Sequence, residues 1–333
     1  MIDVNILTTM FDFFANLYSQ VQDWLMQAVV IPMLFAIDGM SYAEESVNAV
    51  DWFLFGLIQI AIILLVLSPL ERFIPVETYD SEKVSKSTIA KAKWVDIFYT
   101  LMHRLGIVKL ILFLLFSDLF FALDGQLHDI GFHRFNVESW WPGVTSIPWV
   151  SFLVYLVILD LGEYLYHRAS HQWNWWWQLH ALHHSQHYMS VWTDNRNHLV
   201  DDVGHSFMFA LLALMIGVEP SQFIWLVALS QLIQSWQHGN LNITHGVFKY
   251  VLISPRYHRL HHAIGMGYEV PGKPGVLGGC NFGILFPWWD MLFKTAIFDE
   301  GIYPTGVRGM EVSHNPLIHQ WQGIVHSVKT FFK

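Results

Sequence analysis

Histidine is the residue type in this sequence with the clearest potential for chemistry. The chain contains 19 histidines, and 13 of them lie between His167 and His262. Three short boxes hold eight of these: His167-Arg-Ala-Ser-His171, His180-Ala-Leu-His183-His184 and His258-Arg-Leu-His261-His262. Residues three or four positions apart share one face of a helix, so the imidazoles of each box should point the same way. Imidazole binds iron, zinc, copper and nickel, and eight imidazoles suffice for two metal ions with positions left open for O2.

Two carboxylates precede the first box inside an apolar run. Glu163 lies four residues before His167 and Asp160 lies seven before it, so all three can share one helix face. Charged side chains in such a run are costly and are usually functional. We therefore take both as candidate catalytic residues. Asp160 is expected to accept the second N–H of a metal-bound imidazole, and Glu163 to do the same or to carry protons. The alternative for Glu163 is a helix end that already lies at the membrane surface.

The composition indicates which environment must hold these side chains. Of the 333 residues, 53% are hydrophobic and only 14% are charged, whereas a soluble domain carries about 25% charged residues. Much of the surface therefore faces something other than water. The net charge of -9 argues against a nucleic-acid partner. The single cysteine, Cys280, allows neither an internal disulfide nor a cysteine-based zinc site.

Hydropathy predicts an all-α integral membrane protein with four to six membrane helices. A helix needs about 20 mostly apolar residues to cross a bilayer. The clearest candidates are residues 52–70, 105–123 and 147–166. The apolar stretch 206–235 is interrupted by Gly217, Glu219 and Pro220 and predicts a helical hairpin, and residues 24–37 form a shorter apolar stretch. We expect N-terminal membrane helices with a basic loop in residues 1–146, a catalytic domain in 147–298 and a tail in 299–333.

The distribution of basic residues predicts the orientation. Residues 1–71 contain no lysine or arginine. Seven lysine or arginine residues then occur from Arg72 to Lys109. Because loops rich in lysine and arginine stay on the cytoplasmic side, this connection should be cytoplasmic. Counting the predicted spans from this connection toward the C-terminus places every histidine box on that same, cytoplasmic face. The sequence therefore predicts a histidine-rich helical catalytic cap on the cytoplasmic side of a bacterial inner membrane or of the endoplasmic reticulum.

The three boxes and their flanking residues resemble the fatty acid hydroxylase/sterol desaturase superfamily of membrane di-iron enzymes. The resemblance covers about residues 147–298. Besides the boxes it rests on Asp160, Arg196-Asn-His198, Gln237-His238-Gly-Asn240, Pro255-Arg256-Tyr-His258, Asn281-Phe-Gly283 and Trp289-Asp290. One departure is Lys294, between Phe293 and Thr295, where the family usually has glycine.

The resemblance implies a set of metal ligands and a reaction. The ligands would be His167, His171, His180, His183, His184, His258, His261 and His262, with His238 next and His198 as either a ligand or a supporting residue. The cofactors would be two iron ions with O2 as co-substrate. The substrate would be a membrane lipid, such as a sterol, a fatty acyl chain or a lipid head group, that is hydroxylated or desaturated. Electrons would come from a separate ferredoxin, cytochrome b5 or reductase, because the sequence contains no recognisable flavin, iron–sulfur or haem motif.

Two other functions remain open from the sequence. A membrane metal transporter also places histidines in helices, but it needs ligands near mid-membrane along a pathway, whereas the boxes here are predicted to cluster on one face. A catalytically silent membrane scaffold could retain the same fold. Such a scaffold would have no need of three intact histidine boxes.

Overall fold

The computed structural model describes residues 4–78, 85–310 and 313–332, and most of these residues are helical. The N-terminal helices are α1 (Val4–Leu25), α2 (Ile31–Ala36), α3 (Ala43–Ile62), α4 (Ser68–Phe73), α5 (Lys86–Arg104) and α6 (Ile107–Asp129). The remaining helices are α7 (Pro148–Gln172), α8 (Asn174–His184), α9 (Leu199–Ile216), α10 (Pro220–His238), α11 (Pro255–His261), α12 (Trp288–Leu292) and α13 (Pro316–Phe331). One π-helical turn, Met26–Val30, joins α1 to α2, and another, Ile63–Leu67, joins α3 to α4.

Within the described ranges, three helical runs are long and apolar enough to cross a membrane. They are Met40–Phe73, Pro148–Gln172 and Leu199–Ile216. The pair formed by α5 and α6, bent by 48°, gives a fourth if it counts as one span. The multi-pass helical architecture predicted from the sequence is thus confirmed, but with three or four candidate spans where four to six were predicted.

The predicted hairpin over 206–235 is present as α9 and α10, joined at Gly217. This glycine has φ +73°, a left-handed conformation that ends α9 and that only glycine adopts at low cost. Pro220 then starts α10 at a position where a missing N–H does no harm. The second arm is less apolar than a full span because Gln231 and Gln234 line an internal cavity. The segment 24–37 likewise forms no helix that qualifies as a span.

A two-stranded hairpin departs from the predicted all-α architecture. Strand β1 (Glu269–Val270) pairs antiparallel with β2 (Lys273–Leu277). The chain reaches this hairpin through Gly267, where a Cβ would lie 1.6 Å from the carbonyl oxygen of His261. A glycine is therefore required here, since no side chain fits between the hairpin and the third histidine box.

The main apolar core lies between α7, α9, α10 and the segment before α12. Its buried members include Tyr155 and Leu159 from α7, Phe209 from α9, Leu226 from α10 and Leu285. This packing fixes α7, which carries the first box, against both arms of the hairpin.

Buried ion pairs connect α5 to the loop that follows the second box. Arg104 Nη2 donates to Asp194 Oδ2 at 2.5 Å, and Arg196 Nε donates to Asp96 Oδ1 at 2.6 Å. All four side chains are at least 94% buried, since their exposed fractions range from 0% to 6%. The N-terminal half is thus tied to the histidine-bearing half by charges that have no access to water.

Glu71, near the end of the first span, makes a similar connection. Its Oε1 accepts the backbone N–H of Val191 and that of Asn240, both at 2.8 Å. One buried carboxylate therefore holds the loop after the second box together with the turn that follows His238.

The C-terminal helix α13 packs against α8 and against the start of α9. Gly323 allows the closest approach, because a Cβ there would lie 2.4 Å from His198 Cδ2. Gln320 bonds the same region, with its Oε1 accepting the N–H of Leu199 at 2.8 Å and its Nε2 donating to the carbonyl of Asn197 at 3.0 Å.

Candidate metal centre

The first histidine group joins the ends of two consecutive helices. His167 and His171 on α7 and His180 and His184 on α8 place ligand nitrogens within 4.8 Å of one another. The turn at Trp173 separates α7 from α8 and folds the second box back onto the first. All of these rings except His180 are fully buried.

The second histidine group draws on three helices. His183 comes from α8, His238 from the end of α10, and His258 and His262 from α11 and the residue that ends it. Their Nε2 atoms converge, at 3.1 Å from His183 to His238, 3.0 Å from His238 to His258 and 3.2 Å from His258 to His262. All four residues are buried.

His261 lies where the two groups meet. Its ligand nitrogen falls within 4.8 Å of those of His184 and His262, and its ring centroid is 4.4 Å from that of His167. The two groups therefore share a boundary and form one continuous histidine site. The structure brings together nine of the ten histidines named from the sequence, and His198 is the exception.

Hydrogen bonds fix the tautomer of five of these rings. The Nδ1–H of His167 donates to the carbonyl of Phe282 at 2.9 Å, that of His261 to Cys280 at 2.7 Å and that of His238 to Gln234 at 2.8 Å. The Nδ1–H of His183 donates to Asn197 Oδ1 at 3.1 Å, and that of His180 to Asp201 Oδ2 at 3.0 Å. A neutral ring that donates through Nδ1 presents a lone pair at Nε2, which is the form that binds metal.

The arrangement fits metal ions better than it fits hydrogen bonding. His183 and His238 both donate through Nδ1, so their two Nε2 lone pairs face each other at 3.1 Å, a repulsive contact unless a cation lies between them. Buried ring nitrogens without a hydrogen-bond partner occur on His167, His171, His180, His184, His258, His261 and His262. Each unsatisfied buried polar atom costs about 1–3 kcal/mol. A donor set made of imidazoles suits iron, zinc or copper.

The electrostatic environment keeps the rings neutral. Burial, reinforced by the neighbouring histidines, lowers the pKa of His184, His258 and His262 well below the usual value. Burial lowers the pKa of His261 to about 3. Because a proton on the ring competes directly with a metal ion, this environment keeps the nitrogens available at neutral pH.

Asp201, in the first turn of α9, is a functional residue that the sequence reasoning missed. Its Oδ2 holds His180, while its Oδ1 accepts the hydroxyl of Tyr166 at 2.8 Å and the indole N–H of Trp176 at 2.7 Å. A carboxylate that receives the second N–H of a ligating histidine fixes the ring and raises its basicity. The available signal was an acidic residue three positions after His198 and five positions before the predicted hairpin.

Asp160 differs from the expectation that it would orient an imidazole. Its carboxylate accepts the backbone N–H groups of Leu285 at 2.7 Å and Phe286 at 3.2 Å, and the indole N–H of Trp289 at 2.9 Å. His167 gives its Nδ1–H to a backbone carbonyl instead. Asp160 therefore anchors the segment before α12, and its effect on the histidines is indirect.

Glu163 lies on the cavity wall beside the metal centre. Its Oε2 accepts the Nε2–H of His205 on α9 at 2.9 Å. None of the nine clustered histidines contacts this carboxylate through a hydrogen bond in the described ranges. Glu163 therefore does not contact the first box as predicted, and instead forms a hydrogen-bonded pair with His205 of another span.

His198 is held away from both histidine groups. Its Nδ1 accepts the N–H of Val200 at 3.1 Å and caps α9, while its Nε2 donates to the carbonyl of Gln320 at 2.8 Å. Because both nitrogens are used in these two contacts, His198 is not positioned as a ligand and links α9 to α13 instead.

A cavity of about 370 Å³ connects the metal centre to the membrane helices. Five of its lining residues are His167, His180, His183, His238 and His258. Apolar side chains of α7, α9 and α10, such as Leu156, Phe209 and Phe223, form much of the remaining wall. An apolar chain can therefore lie beside the metal-binding nitrogens.

Comparison with known proteins supports this site. Residues 152–295, which contain all three boxes, match the family model described as fatty acid hydroxylase. The chain is 26% identical over 166 residues to the ornithine lipid hydroxylase OlsE of Rhizobium tropici, covering 50% of this chain and 46% of that protein. It is 30% identical over 178 residues to the alkylglycerol monooxygenase of Caenorhabditis elegans, covering 53% and 33%.

A third relative is the Delta(7)-sterol 5(6)-desaturase ERG3B of Gibberella zeae, 25% identical over 172 residues, covering 51% of this chain and 47% of that protein. The matched regions thus span less than half the length of these relatives. No solved structure matches the chain. The family match and the histidine groups support the resemblance of residues 152–295 to the fatty acid hydroxylase/sterol desaturase superfamily, and the relatives named here are a lipid hydroxylase, a monooxygenase and a sterol desaturase.

Proposed function

We propose that the protein is an O2-dependent, non-haem di-iron oxidoreductase that acts on a C–H bond of a membrane lipid. The observation that carries the proposal is the junction of two buried imidazole groups with an apolar cavity between membrane helices. The named activities of the relatives, on an ornithine lipid, on alkylglycerols and on a sterol, agree on a lipid substrate and on oxidation.

The histidines would hold two iron ions, one in the group of His167, His171, His180 and His184 and one in the group of His183, His238, His258 and His262. His261, at the boundary, could serve either ion. When bound, iron supplies the activation of O2 that removes hydrogen from an unactivated C–H bond. The protein contributes fixed tautomers at five rings, buried ligand nitrogens and the apolar part of the cavity wall, which positions the reacting carbon.

Glu163 and His205 can handle protons at the cavity wall. The pair is hydrogen-bonded through Glu163 Oε2 and His205 Nε2, and both residues line the cavity. A proton can pass between these two atoms without movement of the backbone. We therefore retain for Glu163 the role of carrying protons that was expected from the sequence.

Whether the product is an alcohol or an alkene depends on how the substrate is positioned in the cavity. Hydroxylation places oxygen on the reacting carbon, while desaturation removes a second hydrogen from its neighbour. We propose an external electron donor, a ferredoxin, cytochrome b5 or reductase, and a site on the cytoplasmic face of a bacterial inner membrane or the endoplasmic reticulum. The division into residues 1–146, 147–298 and 299–333 stays a prediction.

The two rival functions have less support. A transporter requires ligands along a pathway through the membrane, whereas nine histidines here converge on one enclosed site. A silent scaffold would gain nothing from buried ring nitrogens that lack hydrogen-bond partners.

The test is lipid mass spectrometry of host cells grown under 18O2 with and without the protein. We expect a lipid that gains 18O or loses two hydrogens, and about two iron atoms per chain in protein purified under anaerobic conditions. His183→Ala should abolish the product, while the matched control His128→Ala, on a ring whose side chain is 91% exposed, should not. An unchanged lipid profile, or a zinc-only protein that iron cannot activate, would refute the proposal.

The cytoplasmic location has its own test. Lys86→Cys on α5 and Lys273→Cys on β2 should react with a membrane-impermeant thiol reagent from the same, cytoplasmic, side. The buried Cys280 of the wild-type protein provides the background. Labelling of the two cysteines from opposite sides would contradict the orientation and leave the metal site itself untouched.

A further inference from the structure

The C-terminal helix α13 has three distinct faces. The face against the protein carries His319, Gly323 and Ser327, spaced four apart and all buried. A second face carries Gln322, His326 and Lys329, which are polar and exposed. This division is unusual for a surface helix, because the residues packed against the protein are small or polar.

The third face is an exposed apolar stripe. It consists of Leu317, Trp321, Ile324, Val328 and Phe331, with exposed fractions of 78%, 67%, 38%, 50% and 62%. The alternating spacings of four and three residues place all five along one line of the helix. In water such a stripe would be unfavourable, so something apolar must cover it.

The surroundings of α13 place the stripe at the level where membrane spans end. Phe331 contacts Trp175, three residues after the end of α7, with ring centroids 5.9 Å apart. Gln320 bonds Leu199, the first residue of α9. Since α7 and α9 both qualify as spans, α13 touches the ends of two spans on the same side of the membrane.

We propose that α13 is an interfacial helix whose apolar stripe is covered by the lipid of the membrane. The polar face beside the stripe would then meet water, as expected for a helix lying along the boundary between head groups and acyl chains. Tryptophan, phenylalanine and leucine, which all occur in the stripe, are typical of the apolar face of such helices. A partner protein would not require a straight boundary between an apolar and a polar face along the whole helix, whereas a bilayer surface does.

The lipid contact has a consequence for the metal centre. Gln320 lies on α13 and donates to the carbonyl of Asn197, whose side chain accepts the Nδ1–H of His183. The membrane would thus hold α13, and α13 would hold the loop that orients His183. This inference rests on the fold and on the spans, and it stands whether or not the protein is an oxygenase.

Site-specific fluorescence can test the position of α13. Val328→Cys on the stripe and Gln322→Cys on the polar face would each be labelled with an environment-sensitive dye in the full-length protein, reconstituted in phosphatidylcholine vesicles. Cys280 is 2% exposed, so unsubstituted protein carried through the same labelling serves as the blank. Quenching is then measured with a nitroxide lipid labelled near the head group and with aqueous iodide.

The expected result is at least several-fold stronger quenching by the nitroxide lipid at residue 328 than at residue 322, with the reverse order for iodide. Equal iodide access at both positions would place the helix in water and overturn the proposal. A label at residue 328 shielded from both quenchers would indicate a protein cover, either a second copy or a redox partner, and would overturn it too. Ile324→Cys and His326→Cys form a second matched pair in case one variant does not fold.

Discussion

Replacing Asp201 by asparagine should weaken metal binding through a single ring, His180. The carboxylate accepts three donors, the Nδ1–H of His180 on one oxygen and the Tyr166 hydroxyl and the Trp176 indole on the other. Asparagine offers only one accepting oxygen. Its NH2 group must face either the ring or the indole N–H, and both are donors.

Either orientation has a calculable cost. If NH2 faces the ring, His180 must move its proton to Nε2, and the nitrogen that points into the first group no longer binds metal. If NH2 faces the indole, a buried hydrogen bond to a charged acceptor is lost, at about 1.5–3 kcal/mol. Losing a partner of this kind lowers metal affinity by about 10- to 100-fold, or roughly 1.4–2.7 kcal/mol.

The assay is a competition titration of the purified protein with iron and a chelator, together with thermal unfolding in detergent. Asp51→Asn is the matched control: it makes the same change on α3, where the carboxylate accepts the Tyr18 hydroxyl at 2.5 Å and the Gln22 amide at 2.6 Å, away from the clustered rings. Wild-type iron affinity in folded Asp201→Asn, or an equal loss in Asp51→Asn, would refute the assignment.

Three further outcomes follow from the structure. Asp160→Asn should lower the free energy of unfolding by about 1.5–3 kcal/mol, because the segment before α12 loses a charged hydrogen-bond acceptor. The folded protein should keep its iron affinity. Chemical unfolding measures the first outcome and iron titration the second. Gly323→Ala should destabilise the fold by about 1–3 kcal/mol, because the new Cβ would lie 2.4 Å from His198 Cδ2; a lower unfolding temperature checks this. Burial lowers the pKa of His319 to about 4, so this ring should cost stability as the pH drops from about 6.5 to 4, where the unfolded chain binds a proton and the folded chain does not. His319→Gln should therefore reduce the loss of stability over this pH range by up to about 3 kcal/mol, while the buried histidines of the two groups keep the rest of it.

Each of these outcomes can fail in a recognisable way. A selective loss of iron in stable Asp160→Asn would return this residue to the role expected from the sequence. An unchanged unfolding temperature in Gly323→Ala would mean that α13 can shift without cost. If His319→Gln keeps the full acid sensitivity between pH 6.5 and 4, another group is responsible for it.

The spacing of residues within one helix predicted much of the site. The separations of three and four residues in the boxes placed the imidazoles of α7, α8 and α11 on common faces, and hydropathy located α7, the span that carries the first box. These signals are local, since they depend only on helical geometry and on the thickness of a bilayer.

The contacts between helices could not be read from the same signals. Asp160 lies seven residues before His167, which correctly suggests a shared face, but the carboxylate points toward a segment more than 120 residues later in the chain. Asp201 reaches His180 from a different helix. His198 falls within a motif of histidine-rich enzymes, yet the start of α9 and the approach of α13 decide its partners. Tertiary packing fixes each of these pairs, and no spacing in the sequence encodes it.

The buried charges between α5 and the loop after the second box limit how the histidine region can be exchanged between proteins. A chimaera that grafts residues 152–295 onto anchor helices with no arginine and no carboxylate at the positions of Arg104 and Asp96 would leave Asp194 and Arg196 unpaired. Breaking one buried pair in this way costs about 3–5 kcal/mol, a large share of the stability of an ordinary domain. The region that aligns with relatives therefore depends on contacts with the N-terminal helices. An exchange of this region that aims to alter substrate choice must include α4 and α5 together with the histidine boxes.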